Sequence, residues 1–335
     1  MDGLSRACIG AVLLSAAAYG QSRRVLPVPL EAVSAVLDQF ERYSIVALSE
    51  GPHNNQKGHD FRLALVRDPR FGRLVNDVVV EFGNSRYQPV MDRFTAGADV
   101  PYRELRHVWE DTTMPGPIWD SPVYYEFFAA IRDVNRATGS HIRVLPGDPP
   151  IDWASIRGAG QIDAYYPQRS PHAAAVIQRE VLKKNHRALV VYGEGHLIGR
   201  GTRADTLVAI LERDSQARIF TISNRYADLS RFQTGSAWPV PSLILVEGTT
   251  LGAEPYGRLV GDDASAKGPP LEYFFDAVLH LGGPSALSMT EVQKSVCNDS
   301  EYLKMRFERF ALTATPDGPD PGAELKRLCG LTADR

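Results

Sequence analysis

The stretch Ile45-Val46-Ala47-Leu48-Ser49-Glu50-Gly51-Pro52-His53 decides the fold. Its unbroken apolar run from Ser44 to Ser49 has the length of a strand and ends on an acid, a glycine and an imidazole. A strand apolar on both faces belongs inside a parallel sheet that is covered on both sides. Upstream, Ala32, Val33, Val36, Leu37 and Phe40 repeat with a helical period, so residues 30–43 are expected to be a helix. Downstream come a polar loop from Glu50 to His59, a helix over Phe61 to Arg67 and a β-branched strand, Asp77-Val78-Val79-Val80-Glu81-Phe82, that closes on an acid. Strand, loop, helix and strand make a parallel βαβ unit.

The alternation continues. Pro122 to Thr138 reads as a helix, His141 to Leu145 as a strand and Pro146-Gly147-Asp148-Pro149-Pro150 as the loop beyond it. Ser170 to Asn185 reads as a helix with Ser170 as N-cap and Pro171 in its first turn. The strand Ala188 to Tyr192 and the loop Gly193-Glu194-Gly195-His196 follow, then a helix over 203–213 and strands over Ala217 to Ile222 and Ser242 to Val246, the last at an edge. The expected fold class is therefore α/β, a mostly parallel central sheet with helices on both faces. From Ala264 the pattern changes: Leu271 to Leu279 and Asn298 to Phe310 read as helices, and Thr315 to Gly322 is rich in Pro and Gly. Residues 264–335 are expected to be a C-terminal helical cap on the domain formed by 21–263, since no low-complexity linker divides the 335 residues.

Hydrophobic residues make up 44% and charged residues 23%, the composition of a soluble globular chain. The net charge of −3 selects no partner, and the absence of a dense Lys/Arg stripe disfavours nucleic acid. Arg6, the apolar run Ala7 to Tyr19 and the small residues Ala18 and Gly20 resemble a secretory leader cleaved after Gly20. The expectation is an exported protein, periplasmic or secreted, with no stable membrane insertion once the leader is removed. Cleavage takes Cys8 away and leaves Cys297 and Cys329, which an oxidising compartment allows to pair. Closing a loop of roughly 30 residues stabilises by about 3 to 4 kcal/mol in the chain-entropy model.

Four polar features share one address at the carboxyl ends of the expected strands: Glu50 with His53, Glu81, Asp148, and Glu194 with His196. In a parallel sheet those ends converge on one rim. Converging carboxylates and imidazoles serve either as a general base oriented by an acid or as N and O ligands of a divalent metal. A Glu closing a nearly all-apolar strand is costly to bury unpaired, so Glu81 is expected to meet a cation, a metal or a donor. His59, His107, His141, His172, His186 and His280 are read as surface or hydrogen-bonded residues.

Ile45 to His53, Val80-Glu81 and Val190 to Gly199 together resemble the erythromycin-esterase, ChaN and TraB/Tiki superfamily, whose members tend to show a Gly-x-x-His loop after the first strand, a Glu ending the next and a later Gly-x-x-His. Trp119 to Arg136 with Pro146-Gly147-Asp148 is similar to the esterase branch, and Gly193 to Gly199 to the TraB branch. The resemblance covers residues 45–222. Ser49 stands where a Gly is usual, and Asn54-Asn55-Gln56 lacks the Thr-His-Gly texture of the esterases, which argues against a macrolide substrate.

Three functions remain open at this level. The first is a hydrolase acting on a small molecule or peptide: His53, oriented by Glu50, takes a proton from water, His196 or Arg62 stabilises the oxyanion, and Glu81 fixes the site. Arg62 enters because the esterase branch also tends to place an Arg nine residues after this His. A metal-dependent form would draw its ligands from His53, His196, Glu50 and Glu81, an N/O set suited to Mn²⁺, Co²⁺ or Zn²⁺. No Gly-x-Ser-x-Gly nucleophile motif competes. The second is a haem or metal binder of the ChaN type, with Tyr165 or Tyr166 as an axial phenolate. The third is a catalytically degenerate relative.

Overall fold

The apolar runs become strands because each is sealed on two sides. In the computed structural model, which describes residues 24–202, 204–259, 261, 267–315 and 318–331, every residue from Ile45 to Ser49 is buried. Val46 and Leu48 pack into one core with Phe61, Leu65, Phe127 and Phe128, while Ile45 and Ala47 pack into a second core with Ala173, Ile177 and Leu207. The strand is apolar throughout because neither face meets water. The expected leader, residues 1–20, lies outside the described residues.

Eight strands form one sheet in the order β1-β7-β8-β6-β2-β5-β3-β4: β1 (Pro29–Glu31), β2 (Ile45–Ser49), β3 (Asp77–Asn84), β4 (Arg143–Asp148), β5 (Ala188–Tyr192), β6 (Ile219–Ser223), β7 (Ser242–Leu245) and β8 (Ala277–His280). All neighbours from β8 to β4 are parallel, and β7 runs antiparallel to both β1 and β8. Among the described residues the longer helices that cover or flank it are α1 (Ala32–Gln39), α2 (Gln56–Arg67), α3 (Gln88–Thr95), α4 (Pro122–Thr138), α5 (Arg169–Glu180) and α6 (Leu207–Ser215). Helices α7 (Ser300–Thr313) and α8 (Ala323–Cys329) form the C-terminal cap, tied by the disulfide between Cys297 and Cys329, whose Cα atoms are 5.2 Å apart.

Several expectations change, among them Pro146-Gly147-Asp148, read as a loop, which completes β4. Leu271 to Leu279 is one helical turn, Leu271–Phe274, followed by β8. Leu271, Phe274, Phe275, Val278 and Leu279 do repeat at helical spacing, but two open strand edges, β6 and β7, supply backbone partners on both sides of Ala277–His280, and the ladder overrides the period. Strand β7 is not the edge, because Pro29–Glu31 pairs outside it. Helix α2 starts at Gln56, five residues before Phe61, because Asn55 caps it by accepting from the Gly58 N–H at 2.6 Å.

Candidate functional site

Glu50 extends the β2 ladder by one bond, its N–H donating to the Tyr192 carbonyl at 2.9 Å. Gly51 then turns the chain at φ +75°, where a Cβ would stand 2.8 Å from the Asn224 carbonyl oxygen. The side-chain amides of Asn55 and Asn224 both donate to the Glu50 carbonyl, at 3.0 and 3.1 Å, and lock the turn. The turn folds His53 back over its own acid. Nδ1 of His53 lies 2.8 Å from Glu50 Oε2, and Tyr124 donates its hydroxyl to Oε1 at 2.7 Å. A carboxylate only accepts, so in the neutral ring Nδ1 carries the hydrogen and Nε2 keeps its lone pair. Trp119 meets the imidazole edge to face at 4.6 Å between centroids. The Glu50 side chain is fully buried, whereas that of His53 is 33% exposed. Burial pulls the His53 imidazole down, but the Glu50 hydrogen bond and charge outweigh it, so its pKa ends above the ordinary value.

Glu81 leaves β3 two strands away and has different partners. Arg169 donates to its Oε1 at 2.6 Å, the Gly193 N–H donates to Oε2 at 2.5 Å, and His196 Nε2 lies 3.4 Å from Oε1. Burial alone would raise this carboxyl, but His196, Arg169 and His53 bring it down to about 2. Arg169 also donates to Asp148, at 3.2 Å, which further accepts from the Thr113 amide and hydroxyl; burial nevertheless pushes Asp148 up to about 6. Ser170 is not an N-cap, since its Oγ lies 2.7 Å from His196 Nδ1. With a serine hydroxyl on Nδ1 and a carboxylate beside Nε2, His196 carries its hydrogen on Nε2.

The two halves meet at Gly193. A Cβ there would stand 3.0 Å from Glu81 Oε2 and 3.7 Å from His53 Cε1. Glu50, His53, Glu81 and His196 thus share one rim, through Glu50–His53, His53 and Glu81 at Gly193, and Glu81–His196. Arg62 does not join them. It is 1% exposed and lies over the Phe127 ring at 5.9 Å, and its Nε and Nη2 have no hydrogen-bond partner. It stands in the second turn of α2, below the rim. Glu194 turns away into a network of its own with Ser223, Arg225 and Tyr256. Tyr165 packs against a small cluster of Ile151, Ile156 and Ile162, and Tyr166 is exposed. Of the histidines set aside, His59 pairs with Glu126, His107 with Asp111, His172 with Ser85 and His186 with Asp77. Among the described residues, no group of three or more His, Cys, Asp or Glu side chains is arranged to hold a metal ion.

Sequence reading missed Tyr124, Arg169 and the role of Ser170. Each belongs to the first turn of a crossover helix, α4 or α5. A helix that follows a parallel strand begins at the same rim where that strand ends, so its first turn faces the strand-end loops. That rule, applied to an acid in need of a donor, points to Arg169.

No family model matches this chain, and no curated protein matches it. Among solved structures, a succinoglycan biosynthesis protein superposes with a TM-score of 0.53 at 10% identity, over 81% of this chain and 97% of that one. A Bacillus cereus protein gives 0.49 at 12% identity over 80% and 96%. The haem-binding ChaN of Campylobacter jejuni gives 0.38 at 13% identity over 60% and 88%. The first of these is a likeness of fold alone.

Proposed function

We propose that the chain is a hydrolase in which His53, aligned by Glu50, takes a proton from a water molecule as that water adds to a carbonyl of a small-molecule or peptide substrate. The observation that carries this reading is the 2.8 Å Glu50–His53 contact, with the acid fully buried and the imidazole 33% exposed. The contact fixes the tautomer of the neutral ring and leaves Nε2 as the basic atom. His196, anchored by Ser170, supplies the N–H that stabilises the developing oxyanion. Glu81, held by Arg169 and the Gly193 amide, stays ionised and sets the position of His196.

The metal-free form is the one put forward. The carboxylate oxygens of Glu50 and Glu81 are already taken by His53, Tyr124, Arg169 and a backbone amide, so a divalent ion would have to displace protein donors. Export accompanies the reading, supported by the Cys297–Cys329 bond, which oxidising compartments sustain.

The test is a panel of esters, lactones and peptides offered to the metal-stripped mature chain, with and without chelator, alongside incubation with haem. Turnover of at least one substrate, unchanged by chelator and lost in His53→Asn, is expected. A Soret band without turnover would favour the ChaN-type alternative; neither band nor turnover would favour a degenerate relative. Turnover that appears only after Mn²⁺, Co²⁺ or Zn²⁺ is added would replace the proposed base with a metal-bound water.

A further inference from the structure

A cavity of about 380 Å³ opens between the segment after β3 and the C-terminal cap, and none of Glu50, His53, Glu81 or His196 lines it. Its floor carries Glu110, which is 4% exposed yet accepts no hydrogen bond at Oε2. Arg106 Nε lies 3.3 Å from that oxygen but is itself without a hydrogen-bond partner, and its Nη1 is committed to Asp299 at 2.5 Å. Three aromatic rings stand together on the wall. Tyr102 and Trp109 are 5.9 Å apart, Tyr102 and Tyr125 5.4 Å, and Trp109 and Tyr125 6.2 Å.

A buried carboxyl oxygen with no donor is costly unless something completes it. Ring faces attract cations with weakly hydrated alkyl substituents more than they attract neutral groups. We infer that this cavity is a binding site for an organic ammonium group, its charge set against Glu110 and its alkyl substituents against Tyr102, Trp109 and Tyr125. Burial, helped by Asp120 and opposed by Arg306 and Arg106, pushes the Glu110 carboxyl up to about 7, so an arriving cation displaces a proton from a partly protonated acid. A lysine side chain offers Glu110 an N–H donor as well as a charge, whereas a small quaternary amine offers the charge alone.

Isothermal titration of the mature chain with choline chloride, Nα-acetyl-lysinamide and 3,3-dimethylbutan-1-ol, the neutral isostere of choline, tests it. At least one ammonium is expected to bind at least tenfold more tightly than the alcohol, and the stronger of the two identifies the source. Glu110→Gln, nearly isosteric, is expected to weaken ammonium binding at least tenfold with an unchanged circular-dichroism spectrum, and Trp109→Leu to weaken it independently. Equal affinity for the alcohol, undiminished binding by Glu110→Gln, or no binding of either ammonium would overturn the inference.

Discussion

Glu50 and Glu81 are the same residue at comparable addresses, one residue past β2 and one residue past the paired stretch of β3 with β5, yet their partners differ in kind. Glu50 is met by a phenol and an imidazole, with no cation in hydrogen-bond contact, so its charge is spent on His53. Glu81 is met by a guanidinium and a backbone amide, which hold it ionised to about pH 2 and leave little of its charge for a proton in flight. The difference teaches that partners, not position, divide an acid that would orient the base of the proposed reaction from one that anchors charge.

The largest effect should come from His53→Asn. The Asn amide can still donate to Glu50, so the buried acid keeps a partner, but the Nε2 lone pair is gone. kcat/KM should fall by about 10²- to 10⁴-fold, the range for losing a general base, with thermal unfolding little changed. An equal loss of stability would mean that His53 serves the fold.

Arg169→Met attacks the other acid. It leaves Glu81 and Asp148 buried without their cation, which costs about 3 to 5 kcal/mol, read as a lowered denaturant midpoint. The sign with pH follows from linkage. In the native chain Glu81 is depressed, so its contribution is fully present above the ordinary carboxylate value and fades as pH falls towards about 2. Without Arg169 both carboxyls rise, so the deficit should be larger at pH 8 than at pH 5. A deficit independent of pH would show that Arg169 acts by packing.

These two variants also mark what could be read from sequence. The parallel core was legible because β2, β3 and β5 are apolar on both faces, and Glu50, His53, Glu81 and His196 were legible because each follows such a run. Arg169 and Tyr124 were not, because they lie on helices whose periodicity announces only the core-facing stripe; their first-turn placement shows once helix direction relative to the sheet is considered. Strand β8 was hidden for a different reason, since its spacing suits a helix and only the edges of β6 and β7 decide otherwise. Arg62 sits against Phe127 in the second turn of α2, a depth that its distance along the chain from His53 does not show.

A smaller effect is expected from Ser170→Ala. Removing the hydroxyl 2.7 Å from His196 Nδ1 frees the ring to turn and relaxes its tautomer, at the cost of one hydrogen bond. That is worth about 0.5 to 1.5 kcal/mol, so kcat/KM should drop by a few-fold to about tenfold, with KM little changed. No change would place His196 outside the reaction.

The account turns on Glu50 setting the basicity of His53, and the pH dependence of kcat/KM for wild type and Glu50→Gln measures it. Because Glu50 raises the imidazole, wild-type kcat/KM should fall on the acid side through one ionisation above the ordinary histidine value of about 6.5. Replacing the charge by an amide should move that midpoint to lower pH while lowering the plateau. A profile with no ionisation in this range, or a midpoint unmoved by Glu50→Gln, would contradict the claim.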